Sequence, residues 1–276
     1  MRIIPKLDIK GPNLVKGVNL EGLRVLGDPK SFINYYFKNE ADEFIFHDIV
    51  ASLYLRNQLD LLIKETSKNI FIPIIVGGGV KTLKDIEKLL KCGADRIFIN
   101  TSALENKKFL KDACRYFGSS TIVVSIEAVE MDRKFFCTKD YGRELTDINV
   151  INWIQEVEDL GILELLITSV DNEGTGKGFN LRLAELVKKY ASINYIFNGG
   201  FKEIKHINDL LKICNPSGIA ISSAFHYKIY NKFKLSIKNE GNTEFLEKSD
   251  DFFFEKEKNN SSLKNIKEYL KSRKND

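Results

Sequence analysis

Asp8 and Glu127 are the side chains whose type and placement most directly suggest chemistry. Each carboxylate ends a short apolar run, residues 3–9 and 121–127, in a chain that repeats itself at an interval of about 120 residues. Two carboxylates at equivalent points of a repeat can face each other and pass protons to and from one substrate. Two glycine turns accompany them. Residues 72–103 read IPIIVGGGVKTLKDIEKLLKCGADRIFINTSA, and residues 193–225 read INYIFNGGFKEIKHINDLLKICNPSGIAISSAF. In both copies an apolar run ends in glycines and a helical pattern follows. Glycines leave backbone N–H groups unshielded, and a helix start carries partial positive charge, so each copy suits a phosphate. Two cradles point to a ligand with a phosphate at each end. Lys16, in the glycine-bearing loop GPNLVKGVN, can fold over such a site and neutralise substrate charge.

Positioning these groups requires short strands alternating with helices. Strands are expected at 3–9, 43–49, 71–76, 96–100, 121–127, 164–168, 194–197 and 218–221, with helices between them, for example at 83–92, 107–117 and 151–160. Eight such units in one chain predict an α/β protein, a (β/α)8 TIM barrel built from two half-barrels, with residues 1–276 as a single domain. Catalytic groups then belong at the C-terminal strand ends, where Asp8 and Glu127 fall. Two segments break the repeat. Residues 129–149 read as a hairpin with alternating aromatics and a Tyr-Gly turn after the fifth barrel strand. Residues 232–262 are polar, carry the aromatic cluster Phe252–Phe254, and read as an insertion before a last helix at 263–271.

Alternation along the strands places Lys6 with Asp8 in the barrel lumen, and His47 with Glu43 and Ile45. A buried lysine needs a partner, and Asp8 or Glu127 is nearest by parity. For His47 the expectation is a core histidine hydrogen-bonded to a neighbour. Four charges begin their strands: Arg2, Glu43, Arg96 and Glu164. Parity puts all four in the lumen, where they can close a ring of ion pairs across the barrel floor.

Composition excludes several classes. The 276 residues are 43% hydrophobic, and 42 basic and 38 acidic residues give a net charge of +4. The charges are intermixed, with no aromatic-studded basic stripe, so no nucleic-acid partner is expected. The N-terminus has strand character rather than that of a signal peptide, and no apolar run is long enough for a membrane span. The four cysteines are widely spaced, without metal-ligand or redox pairing, and a reduced cytoplasm is the expected compartment.

The motifs IIPKLDIK, LVKGVN, GDP, ADE, GGGVKT, GADRIFINTSA, TSVDNEGT and FHY run in order along most of the chain. By these the chain resembles the histidine-biosynthesis barrel family, and within it the cyclase subunits of imidazole glycerol phosphate synthase. The resemblance implies a lyase in which ammonia reacts with a doubly phosphorylated ribulosyl formimino-aminoimidazole carboxamide. The products are imidazole glycerol phosphate and an aminoimidazole carboxamide ribotide, and no cofactor or metal is implied. Asp8 would be an acid–base residue and Lys16 the mobile-loop lysine, while Glu127 falls where the family has Asp. One phosphate would sit on Gly79, Asn100 and Thr101, the other on Asp171, Gly174, Thr175, Gly199, Gly200, Ser222 and Ser223, with Thr168 and Asp171 lining the site. The ring of Arg2, Glu43, Arg96 and Glu164 would gate ammonia from a glutaminase subunit docked on the N-terminal face, with Asp95 in that interface.

Several residues depart from the family pattern. Glu127 reaches about 1.5 Å further than Asp, Asn198 and Ser120 stand where Ser and Gln are expected, and Lys6 and His47 occupy normally small or apolar lumen positions. These leave two further readings: a paralogue taking ammonia from its own glutaminase to amidinate a nucleotide-sugar in surface-glycan biosynthesis, and a non-catalytic ammonia conduit or scaffold.

Overall fold

The computed structural model describes residues 1–50, 59–233 and 262–273. Among these, eight parallel strands close into a barrel: β1 (Arg2–Lys10), β4 (Phe44–Asp48), β5 (Ile74–Gly77), β6 (Arg96–Ile99), β7 (Ile122–Met131), β10 (Glu164–Ser169), β11 (Asn194–Asn198) and β12 (Gly218–Ile221). Pairing of β10 with β7 and of β1 with β12 completes the circle. The (β/α)8 expectation holds, strand by strand. At β5 the expected start at 71 is wrong. Phe71 is exposed, and Pro73 has no N–H for a ladder, so the strand begins at Ile74.

Alternation divides each strand between two environments. Outward-facing residues join the helices in one large core around Trp153, Phe32, Phe44 and Phe46. Inward-facing residues stack in layers. Arg2, Glu43, Arg96 and Glu164 form the floor; above them Ile4, Ile45, Ile75, Phe98, Val123, Leu166, Ile196 and Ala220 form an apolar layer with one residue from each barrel strand. Polar groups return only higher, at Lys6, His47, Thr168 and Asn198, and then at Asp8 and Glu127.

The helices begin where the chain supplies caps. Leu83–Cys92 opens on a capping box between Thr82 and Asp85 and ends at Gly93 in the left-handed region. Lys107–Phe117 is capped by the Asn106 side chain. Both match their expected bounds. The helix Ser223–Phe233 is anchored by His226, whose Nε2 lies 2.9 Å from the Lys6 carbonyl and whose Nδ1 lies 2.7 Å from the Tyr36 hydroxyl. A carbonyl only accepts, so Nε2 carries the proton and Nδ1 accepts from Tyr36. This bond and that from Ser222 Oγ to the same carbonyl (2.9 Å) fasten the seam where β12 meets β1.

Two additions sit on the C-terminal face. β2 (Asn13–Val18) and β3 (Glu21–Gly27) form an antiparallel hairpin hydrogen-bonded to β1. Beyond the barrel, β7 continues into β8 (Lys134–Lys139) and β9 (Glu144–Asn149), so the expected hairpin at 129–149 is a three-stranded antiparallel extension. The last helix spans Leu263–Ser272. Most of the expected polar insertion, residues 234–261 with Phe252–Phe254, lies outside the described residues.

Candidate active site

At the mouth, Asp8 is fully buried and surrounded by donors. Lys6 Nζ is ion-paired to Oδ1; Lys16 Nζ lies 2.9 Å and the Tyr141 hydroxyl 3.0 Å from Oδ2. His47 Nδ1 stands 3.8 Å from Oδ1. Burial alone would raise the Asp8 pKa, but Lys16, then Lys6 and His47, together pull it far below the usual carboxylate range. Asp8 is therefore a permanent anion in this arrangement.

Glu127 is equally buried but poorly compensated. Its Oε2 accepts from the Asn100 amide at 3.0 Å and from the Gly142 N–H at 2.9 Å, with no cation bonded to it among the described residues. Burial pushes its pKa up to about 7, against opposing pulls from Lys6, the Gly142 N–H and Arg143, while the Asp8 charge adds to the rise. Two facing carboxylates with pKa values driven apart are a recurrent pattern for dividing charge stabilisation from proton transfer.

Two groups at this site, Glu173 and Tyr141, escaped the sequence reading. Glu173 is buried and ion-paired with Lys16. It lies two residues after Asp171 in TSVDNEGT, and that proximity was its signal. Tyr141 reaches the mouth from the turn between β8 and β9, where Asp140, Tyr141 and Gly142 all have positive φ (52°, 60° and 75°). That turn sets the Tyr141 hydroxyl on Asp8 and the next amide on Glu127. Lys16, expected at the site, is found there, but as a strand residue. It was expected in a loop, but the backbone pairs it with Arg24 in the hairpin and its side chain is fully buried. The buried apolar pair Leu14 and Val15 outweighs the turn character of the flanking glycines. Asn19 at the hairpin tip donates to the Val170 and Asp171 carbonyls at 3.0 and 2.8 Å, fastening it across the mouth.

A cleft beside these carboxylates is lined by His47, Gly79, Asn100, Thr101, Glu127 and Tyr141 among others. Three residues expected at the first phosphate, Gly79, Asn100 and Thr101, thus share one cleft with Glu127. Asn100 also donates to the Thr138 carbonyl at 3.1 Å, and the Thr101 hydroxyl accepts from the Asp140 N–H at 3.0 Å. His47 departs from expectation: its Nδ1 is buried without a hydrogen-bond partner among the described residues, and its ring meets Phe98 and Tyr141 edge-on. Burial first, then Lys6, lowers its pKa to about 3, so it is neutral.

On the second cradle, Gly199 repeats Gly78. Both have φ of 107°, and a Cβ on either would strike a strand-end carbonyl, that of Asp48 for Gly78 (2.1 Å) and of Ser169 for Gly199 (2.8 Å). Gly200 packs on Gly178, whose N–H donates to the Gly200 carbonyl at 2.8 Å. Asp171 accepts from the Glu130 N–H at 2.9 Å, Thr175 donates to the Asn172 carbonyl at 2.7 Å, and Gly174 lies against the Gly17 carbonyl of the hairpin. Thr168 accepts from Asn198 at 3.2 Å. Ser223 begins its helix with a buried hydroxyl that has no partner among the described residues.

At the floor the four charges close a ring. Arg2 pairs with Glu43 at 2.8 Å and with Glu164; Arg96 pairs with Glu43 at 2.5 Å and with Glu164. Asp95, beside the ring, accepts the Ile74 N–H at 2.8 Å, so it has a structural duty of its own. Among the described residues no cluster of three or more His, Cys, Asp or Glu is arranged to hold a metal ion, and no helix is long and apolar enough to cross a membrane.

The model of the histidine biosynthesis protein family matches residues 2–231. The imidazole glycerol phosphate synthase subunit HisF of Legionella pneumophila is 47% identical over 209 residues, 75% of this chain and 99% of that protein. The subunit of the same name from Petrotoga mobilis is 39% identical over 240 residues, 86% of this chain and 94% of its own length. That of Staphylococcus saprophyticus is 39% identical over 245 residues, 87% and 97% of the two chains. With its barrel, its repeated glycine cradles and these relatives, the chain belongs to the histidine biosynthesis protein family.

Proposed function

We propose that this protein is the cyclase subunit of imidazole glycerol phosphate synthase, a lyase that uses ammonia to convert the doubly phosphorylated ribulosyl formimino-aminoimidazole carboxamide into imidazole glycerol phosphate and aminoimidazole carboxamide ribotide. The name its relatives share supports the overall reaction. The observation that carries the chemistry is the division between Asp8 and Glu127. Adding ammonia to the substrate and closing the ring builds positive charge on nitrogen and then requires its proton to leave. Asp8, a fixed anion, stabilises that charge. Glu127, titrating at about 7, exchanges the proton with little driving-force penalty at neutral pH.

The two cradles hold the phosphates at opposite sides of the mouth, the first on Gly79, Asn100 and Thr101 and the second on Gly174, Gly200 and Ser223. Lys16, released from Glu173 and Asp8 by an entering substrate, adds positive charge above it. Ammonia reaches the mouth from a partner glutaminase subunit through the floor ring. The eight-residue apolar layer above that ring favours the neutral molecule over the ammonium ion.

The test is cyclisation with ammonium salt as nitrogen source, measured for the wild type, Asp8→Asn and Glu127→Gln. The wild type should turn over and both variants should not. Absence of turnover in the wild type overturns the cyclase reading.

A further inference from the structure

Lys6 is a buried cation that the proposed reaction leaves unused. It stands one inward step below Asp8 on β1, 3% exposed, directly above the apolar layer. A charge in that place is costly unless it is matched, and an apolar side chain of equal volume would fill the lumen at lower cost. Its contacts are specific. Lys6 takes Oδ1 of Asp8, while Lys16 and Tyr141 share Oδ2, so the two ammonium groups hold opposite oxygens of one carboxylate. The two lysines differ in what carries them. Lys16 belongs to the hairpin that covers the mouth, so a substrate approaching Asp8 from solvent must displace it. Lys6 belongs to a barrel strand paired with β12 and β4, so the barrel, and not the hairpin, fixes its backbone.

We propose that Lys6 is a positioning residue, which keeps Asp8 ionised and fixed from below whether or not Lys16 is in place, and so leaves the titrating role to Glu127. This rests on the reading of Asp8 and Glu127 as the acting pair. The charged and titratable groups facing that pair come from every neighbouring element: Lys6 on β1, Lys16 on β2, the neutral His47 on β4, Tyr141 and Arg143 on the turn after β8, and Glu173 after β10. Removing Lys6 takes a positive charge from both carboxylates, so both should titrate at higher pH. Asp8, in direct contact, should move most, by about 1–3 pH units for loss of an adjacent opposite charge.

The experiment follows the Asp8 and Glu127 carboxyl carbons by NMR titration in wild type and Lys6→Met, alongside pH profiles of ammonium-dependent cyclisation. Lys6→Gln, which keeps a donor for Asp8 without the charge, serves if the methionine variant does not fold, and Lys6→Arg should restore the wild-type titration. The expected result is an upward shift of both carboxyls, with kcat lowered about tenfold or more and KM for the bisphosphorylated substrate within about twofold. Unshifted carboxyls would overturn the proposal, since a lysine that merely fills the lumen has no such signature. A raised KM at constant kcat would also overturn it, making Lys6 a substrate ligand. If the carboxyls shift but the wild type shows no cyclisation, the electrostatic role of Lys6 stands and the cyclase reading fails.

Discussion

At the scale of single residues, Glu127 carries a stability signature as well as a chemical one. Its folded pKa, about 7, lies above its ordinary value of 4.5. Its contribution to stability is therefore complete below pH 4.5 and is lost as pH rises through 7. Glu127→Gln should accordingly stabilise the protein at pH 8, by an amount on the order of 3 kcal/mol at most, and leave stability at pH 4 little changed. Chemical denaturation at the two pH values checks this; equal effects at both would refute a raised Glu127. Glu127→Asp should lower cyclisation about tenfold or more, because the shorter acid loses the Asn100 and Gly142 contacts and misplaces the proton by about 1 Å. A rise in turnover with that variant would instead favour the paralogue reading. Asp8→Asn should abolish turnover, and it should not be structurally silent. It leaves Lys6 and Lys16 buried beside an uncharged amide, a loss of roughly 3–5 kcal/mol by the usual cost of breaking a buried pair.

At the scale of elements, the turn between β8 and β9 links the two carboxylates. Its left-handed run brings the Tyr141 hydroxyl to Asp8 and the Gly142 N–H to Glu127 within one dipeptide. A Cβ on Gly142 would be strained at φ 75° and would meet Leu20 Cδ1 at 2.9 Å, so Gly142→Ala should shift the turn. Losing that N–H raises the Glu127 pKa further, and the pH profile of cyclisation should move upward while substrate KM stays close to wild type. An unmoved profile would mean the turn does not set the Glu127 proton affinity. The hairpin of β2 and β3 works in the other direction, closing the mouth through Lys16 and Asn19. The cradle glycines Gly78 and Gly199 show what duplication preserved, the same φ and the same close approach to a strand-end carbonyl.

For the whole molecule, acid sensitivity in the mildly acidic range comes in part from groups held uncharged inside it. Burial lowers both His47 and His226 to about 3 from an ordinary 6.5. Each is neutral when folded and takes a proton when unfolded, so stability falls as pH drops from 6.5 toward 3, by about 1.4 kcal/mol per pH unit for each. Glu127 changes in the opposite sense between pH 7 and 4.5 and offsets one of them. Acid titration of stability should therefore be steeper in Glu127→Gln than in wild type, a comparison that calorimetry across this range decides. The floor ring joins four strands of the barrel. Glu43→Gln removes one of its two anions and leaves Arg2 and Arg96 sharing Glu164; a loss near 3 kcal/mol is expected, reduced by the partial exposure of both arginines.

The repeat, the strand periodicity and the caps were legible in the chain because they are local. Alternation needs a few neighbouring residues, and a duplicated glycine turn announces itself twice. From these follow the barrel, the inward parity of Arg2, Lys6, Asp8, His47 and Glu127, and the membership of the floor ring. What the sequence left open was which lumen groups meet, since parity names a face and not a partner. The pairing of Lys6 with Asp8 and of Lys16 with Glu173, the solitary Nδ1 of His47, and the arrival of Tyr141 from a left-handed turn depend on contacts across residues far apart in the chain. Those contacts also divide the two carboxylates. Asp8 and Glu127 occupy like positions of the repeat, yet the tertiary structure places cations on one and leaves the other buried with only two neutral hydrogen-bond donors. Closure of the barrel therefore decided which carboxylate is held charged and which has its pKa raised toward neutral.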